Sequence, residues 1–456
     1  MSDPAFIILG AGGDLAKRML FPSIHNLIAD GKLGDFKLIG ASLDETDMQS
    51  IILESKNFIT TPDEKALKKM SLNSRYVQMD FGKKEDYGRL GDALKESGCS
   101  ERIFHLAVPP QLFDPITRHL SETGVVLKDN KAKTVDKVVY EKPFGDSLEA
   151  SMRLQDCVER VFTERQVYRL DHFLGEDLVE NTYMLRFGNR MLETLWSRDD
   201  VACVEVLLLE DLDVSDRGSF YDKYGAIKDV VQNHMLQLLA LTAMEPPENM
   251  GIDLRNKKKE VLERVNLVDA YTGQYGGYHD EEGVDPKSRT ETYALLELEV
   301  ETERWREVPF ILATGKALKE TSVLVRLTFK KPSYPDYAGS DTIADTLTIN
   351  VYPEKGFKLA LNALVAGGQG LSNIEFTECS SCDHELKSPK AYEKLYQDVV
   401  EGRQARFVGL EEILESWRII NQANKLISEP AVYEKGSQGP EDALKAWSKI
   451  KARVKP

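Results

Sequence analysis

The segment AFIIL (5–9) runs straight into Gly10-Ala11-Gly12-Gly13, and a helical pattern opens at Asp14. A short apolar run closed by glycines reads as a buried strand, and the residues behind it carry a helix start. Glycines at such a turn let a pyrophosphate approach backbone N–H groups at the positive end of the helix dipole. That context favours a dinucleotide site over an ordinary tight turn. The alternation continues through FKLIGAS (36–42), YVQMD (76–80), RIFHLAV (102–108), KVVYEKP (137–143) and QVYRLDH (166–172), with helical or polar segments between. Such alternation predicts an α/β, Rossmann-type doubly wound parallel sheet over residues 1–173.

Beyond residue 173 the texture changes. Helical patterns at 174–196 and 225–245 precede period-two runs at 202–209, 290–300, 322–329 and 345–353, and the tail returns to helix from Ser388. These predict an α+β domain over 174–456, built on a large, mainly antiparallel sheet. A chain of 456 residues is too long for one ordinary domain. It contains no apolar stretch near the ~18 residues a membrane helix needs. A formal charge of −16 opposes binding to nucleic acid or to an anionic membrane. The basic run RNKKKEVLER (255–264) is interleaved with acids and reads as one solvated helix face. No basic leader precedes the first apolar run, and five cysteines give no disulfide framework, so a reducing, cytoplasmic setting is expected. CSSCDH (379–384) has the spacing of a zinc half-site but lacks a second pair, and no metal is expected.

Two places carry candidate chemistry. At the end of the second strand, IGASLDETD offers Asp44 or Glu45 and no base. A carboxylate there suits the ribose hydroxyls of NAD and repels the extra phosphate of NADP; the alternative is a solvated acidic loop. Asp171 and His172 in RLDHFLGEDL stand at a strand end, while His234 in DVVQNHMLQ (229–237) interrupts an apolar helical pattern with Gln232 and Asn233. A carboxylate that orients an imidazole suits general-base work, although a histidine in an apolar pattern can also be a satisfied core residue.

Taken together, the ordered blocks GAGGDLAKRMLFPSIHNL (10–27), LAVPP (106–110), EKPFG (141–145), RLDHFLGEDLVEN (169–181), DRGSFYDKYGAIKDVVQNHMLQLLALTAMEPP (216–247), PFILATGKALKE (309–320) and AYEKLYQDVVEG (391–402) resemble the glucose-6-phosphate dehydrogenase family. The resemblance implies oxidation at C1 of a pyranose to a 1,5-lactone, with a nicotinamide as hydride acceptor. It makes His234 the base, Asp171 the carboxylate that orients it, and Lys142 a bridge between sugar and cofactor, followed by a cis proline at Pro143. Sugar contacts are implied at Glu210, Asp229 and Lys316. Cofactor contacts are expected at Gly10, Gly12, Gly13, Asp14, Leu15 and Pro109, and at Asp44 and Glu45 from the chemistry above. A homodimer or homotetramer is the expected assembly.

The departures concern the phosphate grip. His172 is kept, but the family's tyrosine is Phe173, its lysine is Glu176, and a second base is Thr321. Replacing an ammonium by a carboxylate reverses a charge-assisted contact to a phosphate dianion. The expectation is therefore an NAD-linked enzyme acting on glucose or a C6-modified glucose. The alternatives are ordinary glucose-6-phosphate oxidation, with a neighbouring base such as Arg169 or Lys319 in the lysine's place, and an inactive sugar-sensing protein.

Overall fold

The computed structural model describes residues 3–128, 135–249, 251–331, 342–364, 371–379, 391–427 and 429–453. It divides into two units, one of residues 1–175 and 389–413, the other of residues 176–388 and 414–456. The division differs from a single cut at 173, because a segment near the C-terminus rejoins the first unit.

The first unit is built on six parallel strands: β1 Pro4–Leu9, β2 Lys37–Ser42, β3 Ser74–Gln78, β4 Glu101–Leu106, β5 Val135–Glu141 and β6 Val167–Leu170. Their order is β3-β2-β1-β4-β5-β6, the doubly wound arrangement that the alternation predicts. β1 is buried at every residue, as a central strand covered on both faces must be. One face packs on Phe104, Val138, Tyr140 and the helix Phe113–Glu122. The other packs on the helix Phe21–Ala29 and on Tyr392, Leu395, Tyr396, Val399 and Phe407 of the returning segment. A helical pattern read locally gives no sign of which sheet it covers, and for this reason the return of residues 389–413 escaped the sequence.

Among its described residues the second unit contains nine strands: β7 Val201–Leu209, β8 Val265–Tyr275, β9 Tyr293–Val300, β10 Pro309–Gly315, β11 Ser322–Phe329, β12 Thr346–Tyr352, β13 Gly356–Leu364, β14 Leu371–Cys379 and β15 Ala431–Tyr433. They pair in the order β14-β13-β12-β11-β7-β10-β9-β8-β15. β7 runs parallel to β10 and β8 parallel to β15; the other pairs are antiparallel, in keeping with the period-two pattern.

Several local expectations change. The pattern at 174–196 is broken at Gly188-Asn189 into Asp177–Phe187 and Arg190–Leu195. The pattern at 225–245 resolves into a π-helix, Ile227–Met235, followed by the α-helix Leu236–Ala243. The basic helix Ile252–Leu262 is not a wholly solvated face: Lys258 is buried and donates to Gln237 Oε1 at 2.8 Å, and Arg255 is buried as well. Cys379 is disulfide-bonded, contrary to the expectation of thiols only, whereas Cys99, Cys157 and Cys203 are free. The remainder of CSSCDH lies outside the described residues. Among the described residues no helix is long and apolar enough to cross a membrane.

Phe407 tests the returning segment. It is fully buried and meets Tyr168 of β6 edge to face at 4.9 Å. Truncating a buried phenylalanine costs about 3–5 kcal/mol. Phe407→Ala should therefore lower the urea midpoint of the first unit, followed by trypsin cleavage within residues 3–128; an unchanged midpoint would show that the segment is not part of that core.

Candidate functional site

In the first unit the glycine turn is pinned by its own backbone. Gly10 and Ala11 N–H groups both donate to Ala41 O of β2, at 2.8 and 3.0 Å. Gly10 has φ +97°, and a Cβ there would stand 2.1 Å from Ala107 O, so no side chain fits. A Cβ on Gly12 would lie 2.4 Å from Asp44 Oδ2. The Asp44 carboxylate thus borders the turn and accepts from Ser42 Oγ at 3.2 Å, while Tyr76 OH donates to its carbonyl at 2.7 Å. Gly13 and Asp14 are exposed where the helix opens, Leu15 is half-buried beside them, and Glu45 is exposed in the Asp44 loop. Two cations of this helix are engaged by acids: Lys17 by Glu54 at 2.6 Å and Arg18 by Asp14 at 2.7 Å. Pro109 is exposed just beyond β4. Bare backbone, a helix start and a flanking carboxylate fit the adenosine end of a dinucleotide.

β5 ends at Glu141 and leads into Lys142, whose bond to Pro143 is cis as the resemblance implies. Lys142 is half-buried. Beyond β6, Asp171 is fully buried, and its Oδ1 accepts the Phe173 N–H at 3.1 Å. That bond and the Leu174 N–H to Asp171 O bond at 3.0 Å start the short 3-10 turn His172–Gly175. His172 is exposed and lies parallel to the Tyr392 ring, and Phe173 is half-buried. Arg169 is not a free cation for a ligand: it is buried, grips both oxygens of Glu164 at 2.8 and 2.9 Å, and donates to Gln155 at 2.8 Å.

In the second unit the parallel pairing of β7 and β10 sets Leu209 opposite Gly315. The next residues, Glu210 and Lys316, consequently form an ion pair. The Lys316 ammonium also stands 5.7 Å above the Tyr221 ring. Burial holds the Tyr221 phenol far above its ordinary range, and the Asp229, Glu291 and Glu210 carboxylates push it further, so it stays protonated. The structure brings Glu210, Lys316 and Asp229 around this tyrosine. Thr321 is engaged elsewhere: its hydroxyl donates to the Asp211 carboxylate and accepts the Asp211 N–H at 3.0 Å.

Asp229 and His234 share the π-helix Ile227–Met235. In 3.6-residue winding, side chains five apart diverge by about 140°. The i→i+5 pairing of a π-helix instead stacks residues five apart, so Asp229 and His234 fall on one face. His234 is buried, and Asn233 Oδ1 accepts its backbone N–H at 2.7 Å. Glu291, just ahead of β9, caps this helix. Its Oε1 accepts the Ile227 N–H at 3.0 Å, and its carbonyl accepts the Ala226 N–H at 3.0 Å. Gly225, at φ +66°, makes room for the carboxylate, since a Cβ there would approach it to 2.5 Å. Burial raises the Glu291 pKa, opposed by the Ile227 N–H and by Lys228.

Sequence reading missed Glu291, Lys355 and Tyr392. Lys355, in the turn between β12 and β13, donates to Glu176 Oε2 at 3.0 Å. Both side chains are about one-third exposed, at 38% and 32%. The carboxylate at the position of the family's lysine therefore carries its own ammonium. Among the described residues no cluster of ligating side chains suited to a metal ion occurs.

Comparison with known proteins agrees with this geometry. Residues 7–181 match the model of the glucose-6-phosphate dehydrogenase NAD binding domain, and residues 183–454 match that of the glucose-6-phosphate dehydrogenase C-terminal domain. Glucose-6-phosphate 1-dehydrogenase of Bacillus subtilis (strain 168) is 34% identical, with 96% of this chain and 95% of the relative aligned. The enzyme of the same name from Caenorhabditis elegans is also 34% identical, over 95% and 88%. A crystal structure of glucose-6-phosphate 1-dehydrogenase from Mycobacterium avium superposes with a TM-score of 0.85 at 32% identity, covering 97% and 96%. A structure described as glucose-6-phosphate dehydrogenase in complex with its substrate glucose-6-phosphate superposes with a TM-score of 0.90 at 28% identity, covering 98% of both chains. The doubly wound unit, its glycine turn and these matches define a dehydrogenase with a nicotinamide-binding domain. The chain belongs to the glucose-6-phosphate dehydrogenase family.

The capping carboxylate provides a pH test. A carboxyl whose folded pKa is raised is stabilising only while protonated, and its burial cost sets in as pH rises through and beyond its ordinary 4.5. Glu291→Gln keeps an acceptor for Ile227 and carries no charge. Its melting temperature relative to the parent should therefore improve between about pH 4.5 and about pH 7.5. A difference that is flat with pH, or that moves the other way, would contradict the cap as described.

Proposed function

We propose that the protein oxidises glucose 6-phosphate at C1 to the 1,5-lactone and prefers NAD as hydride acceptor. The observation that carries this reading is the Lys355–Glu176 ion pair. The expectation of an unphosphorylated or C6-modified sugar counted Glu176 by itself and found the charge reversed. With Lys355 on the same carboxylate, the local charge is close to neutral instead of reversed and no longer opposes a phosphate. A pair this exposed contributes only about 0–1 kcal/mol to stability, so stability gives little reason to maintain it. Glu176 is already bonded to an ammonium, which also removes the reason to invoke an amino sugar. The relatives support the same substrate, since they are named glucose-6-phosphate 1-dehydrogenases and one related structure is described with that sugar phosphate as its substrate.

The proposed roles follow the chemistry of the groups. The nicotinamide, when bound, supplies the hydride acceptor. His234 takes the C1 hydroxyl proton on a ring nitrogen as the C1–H electron pair leaves, and a C=O bond forms at C1. Asp171, buried and acceptor-only, orients and stabilises the imidazolium. Glu210, Asp229 and Lys316 recognise ring hydroxyls, Lys142 bridges sugar and cofactor, His172 contacts the phosphate, and Lys355 cancels the charge of Glu176. Phe173 and Thr321 add no charge to that grip. The preference for NAD rests on the Asp44 carboxylate beside Gly12, which would repel a 2′-phosphate, and on Lys17 and Arg18 being engaged by acids.

Reduced-cofactor formation with glucose 6-phosphate, glucose and 6-amino-6-deoxyglucose, each with NAD and NADP, tests both parts. Glucose 6-phosphate with NAD should give the highest kcat/KM. Lys355→Ala should raise KM for glucose 6-phosphate about 10-fold, the scale of one charge-assisted bond, and leave the parameters for glucose unchanged. A parent that favours glucose or the amino sugar would overturn the substrate assignment, and a preference for NADP would overturn the cofactor assignment.

A further inference from the structure

Four polar groups form a linear hydrogen-bonded chain at the carboxyl ends of β4 and β5. Tyr392 OH donates to Glu141 Oε1 at 3.0 Å. The same oxygen meets His105 Nε2 at 2.9 Å, and Tyr396 OH meets His105 Nδ1 at 2.9 Å. His105 is fully buried; Glu141, Tyr392 and Tyr396 are 8%, 4% and 1% exposed. An ionised carboxylate only accepts, which places the imidazole proton on Nε2 and leaves Nδ1 to accept from Tyr396. Donation therefore converges from both sides on Glu141. Burial holds both phenols far above their ordinary range, with the Glu141 carboxylate pushing the same way, so they remain donors throughout the working pH range.

This chain reaches two residues of the proposed site by separate routes. Glu141 is the residue immediately before Lys142, so a side chain held by two donors fixes the backbone from which the lysine projects. The other route is the tyrosine ring itself. Tyr392 lies parallel to His172 within 2°, at a centroid separation of 6.4 Å, an offset arrangement. Both tyrosines come from the helix Ala391–Glu401, about 250 residues downstream of β5. A core needs no such buried polar chain for stability, since apolar packing of equal volume usually serves as well or better.

We infer that Tyr392 is a positioning residue that sets Lys142 through its hydroxyl and His172 through its ring. The inference rests on the roles proposed above for those two residues. Its two routes separate by substitution. Tyr392→Phe removes the hydroxyl and keeps the ring, whereas Tyr392→Leu removes both.

The measurements are kcat and KM for glucose 6-phosphate, the melting temperature, the His172 ring-proton NMR shifts, and the acetylation rate of Lys142 relative to exposed lysines by mass spectrometry. Tyr392→Phe should lower kcat about 10-fold with KM within about twofold, alter the Lys142 acetylation rate, and leave the His172 shifts in place. Tyr392→Leu should in addition raise KM several-fold and move the His172 resonances. Glu141→Gln, which weakens only the hydroxyl route, should follow the Phe variant. If all three variants lower the melting temperature but keep the parent's kcat and KM per folded enzyme, the role is purely structural and the inference fails. A parent inactive on glucose 6-phosphate would instead refute the functional reading; the Lys142 and His172 signals would still decide the positioning claim.

Discussion

The chemistry assigned to the second unit depends on how one helix starts. Glu291 takes the first N–H of the Ile227–Met235 segment on its carboxylate and the preceding one on its carbonyl, and Gly225 bends the chain to admit it. From that fixed start the segment winds with five-residue pairing, and so Asp229 and His234 share a face. Ordinary α-helical winding would turn one of them away. Wide turns of this kind are uncommon and occur often at functional sites. The carboxylate that caps this one also helps to keep Tyr221 protonated beneath Lys316.

Charge in each unit follows a similar logic of partners. Glu176 read by itself reverses the electrostatics of a phosphate grip. Lys355, far along the chain, neutralises that carboxylate, and a residue-by-residue comparison with a family motif cannot register a partner drawn from another strand turn. Arg169, which sequence offered as a replacement, is held by Glu164 and Gln155. The same caution covers Thr321, whose hydroxyl serves Asp211.

Much of the fold was legible in sequence because its signals are local. Apolar runs ended by glycine, acid or proline gave the six parallel strands, and period-two runs gave β7, β9, β11 and β12 of the second sheet. The glycine turn could be assigned from sequence because it follows an apolar run and opens a helix, and at Gly10 only bare backbone tolerates contact with Ala107. Long-range or subtle features were hidden. The helix Ala391–Glu401 has an unremarkable amphipathic pattern, yet it completes the first unit. Lys258 belongs to a basic run and is nonetheless buried against Gln237, and nothing in a single sequence distinguishes it from the half-buried Lys257 and Lys259 beside it. The π winding changes which residues are neighbours without changing the apolar pattern that announces a helix.

The most direct test of C1 oxidation of the sugar phosphate is to follow the hydrogen itself. With glucose 6-phosphate deuterated at C1 and NAD as acceptor, the account predicts deuterium at C4 of the reduced nicotinamide, a primary isotope effect in single-turnover kinetics, and a 6-phosphorylated 1,5-lactone as first product. Reduced cofactor that forms without deuterium, or deuterium transfer from glucose but not from its 6-phosphate, would contradict it.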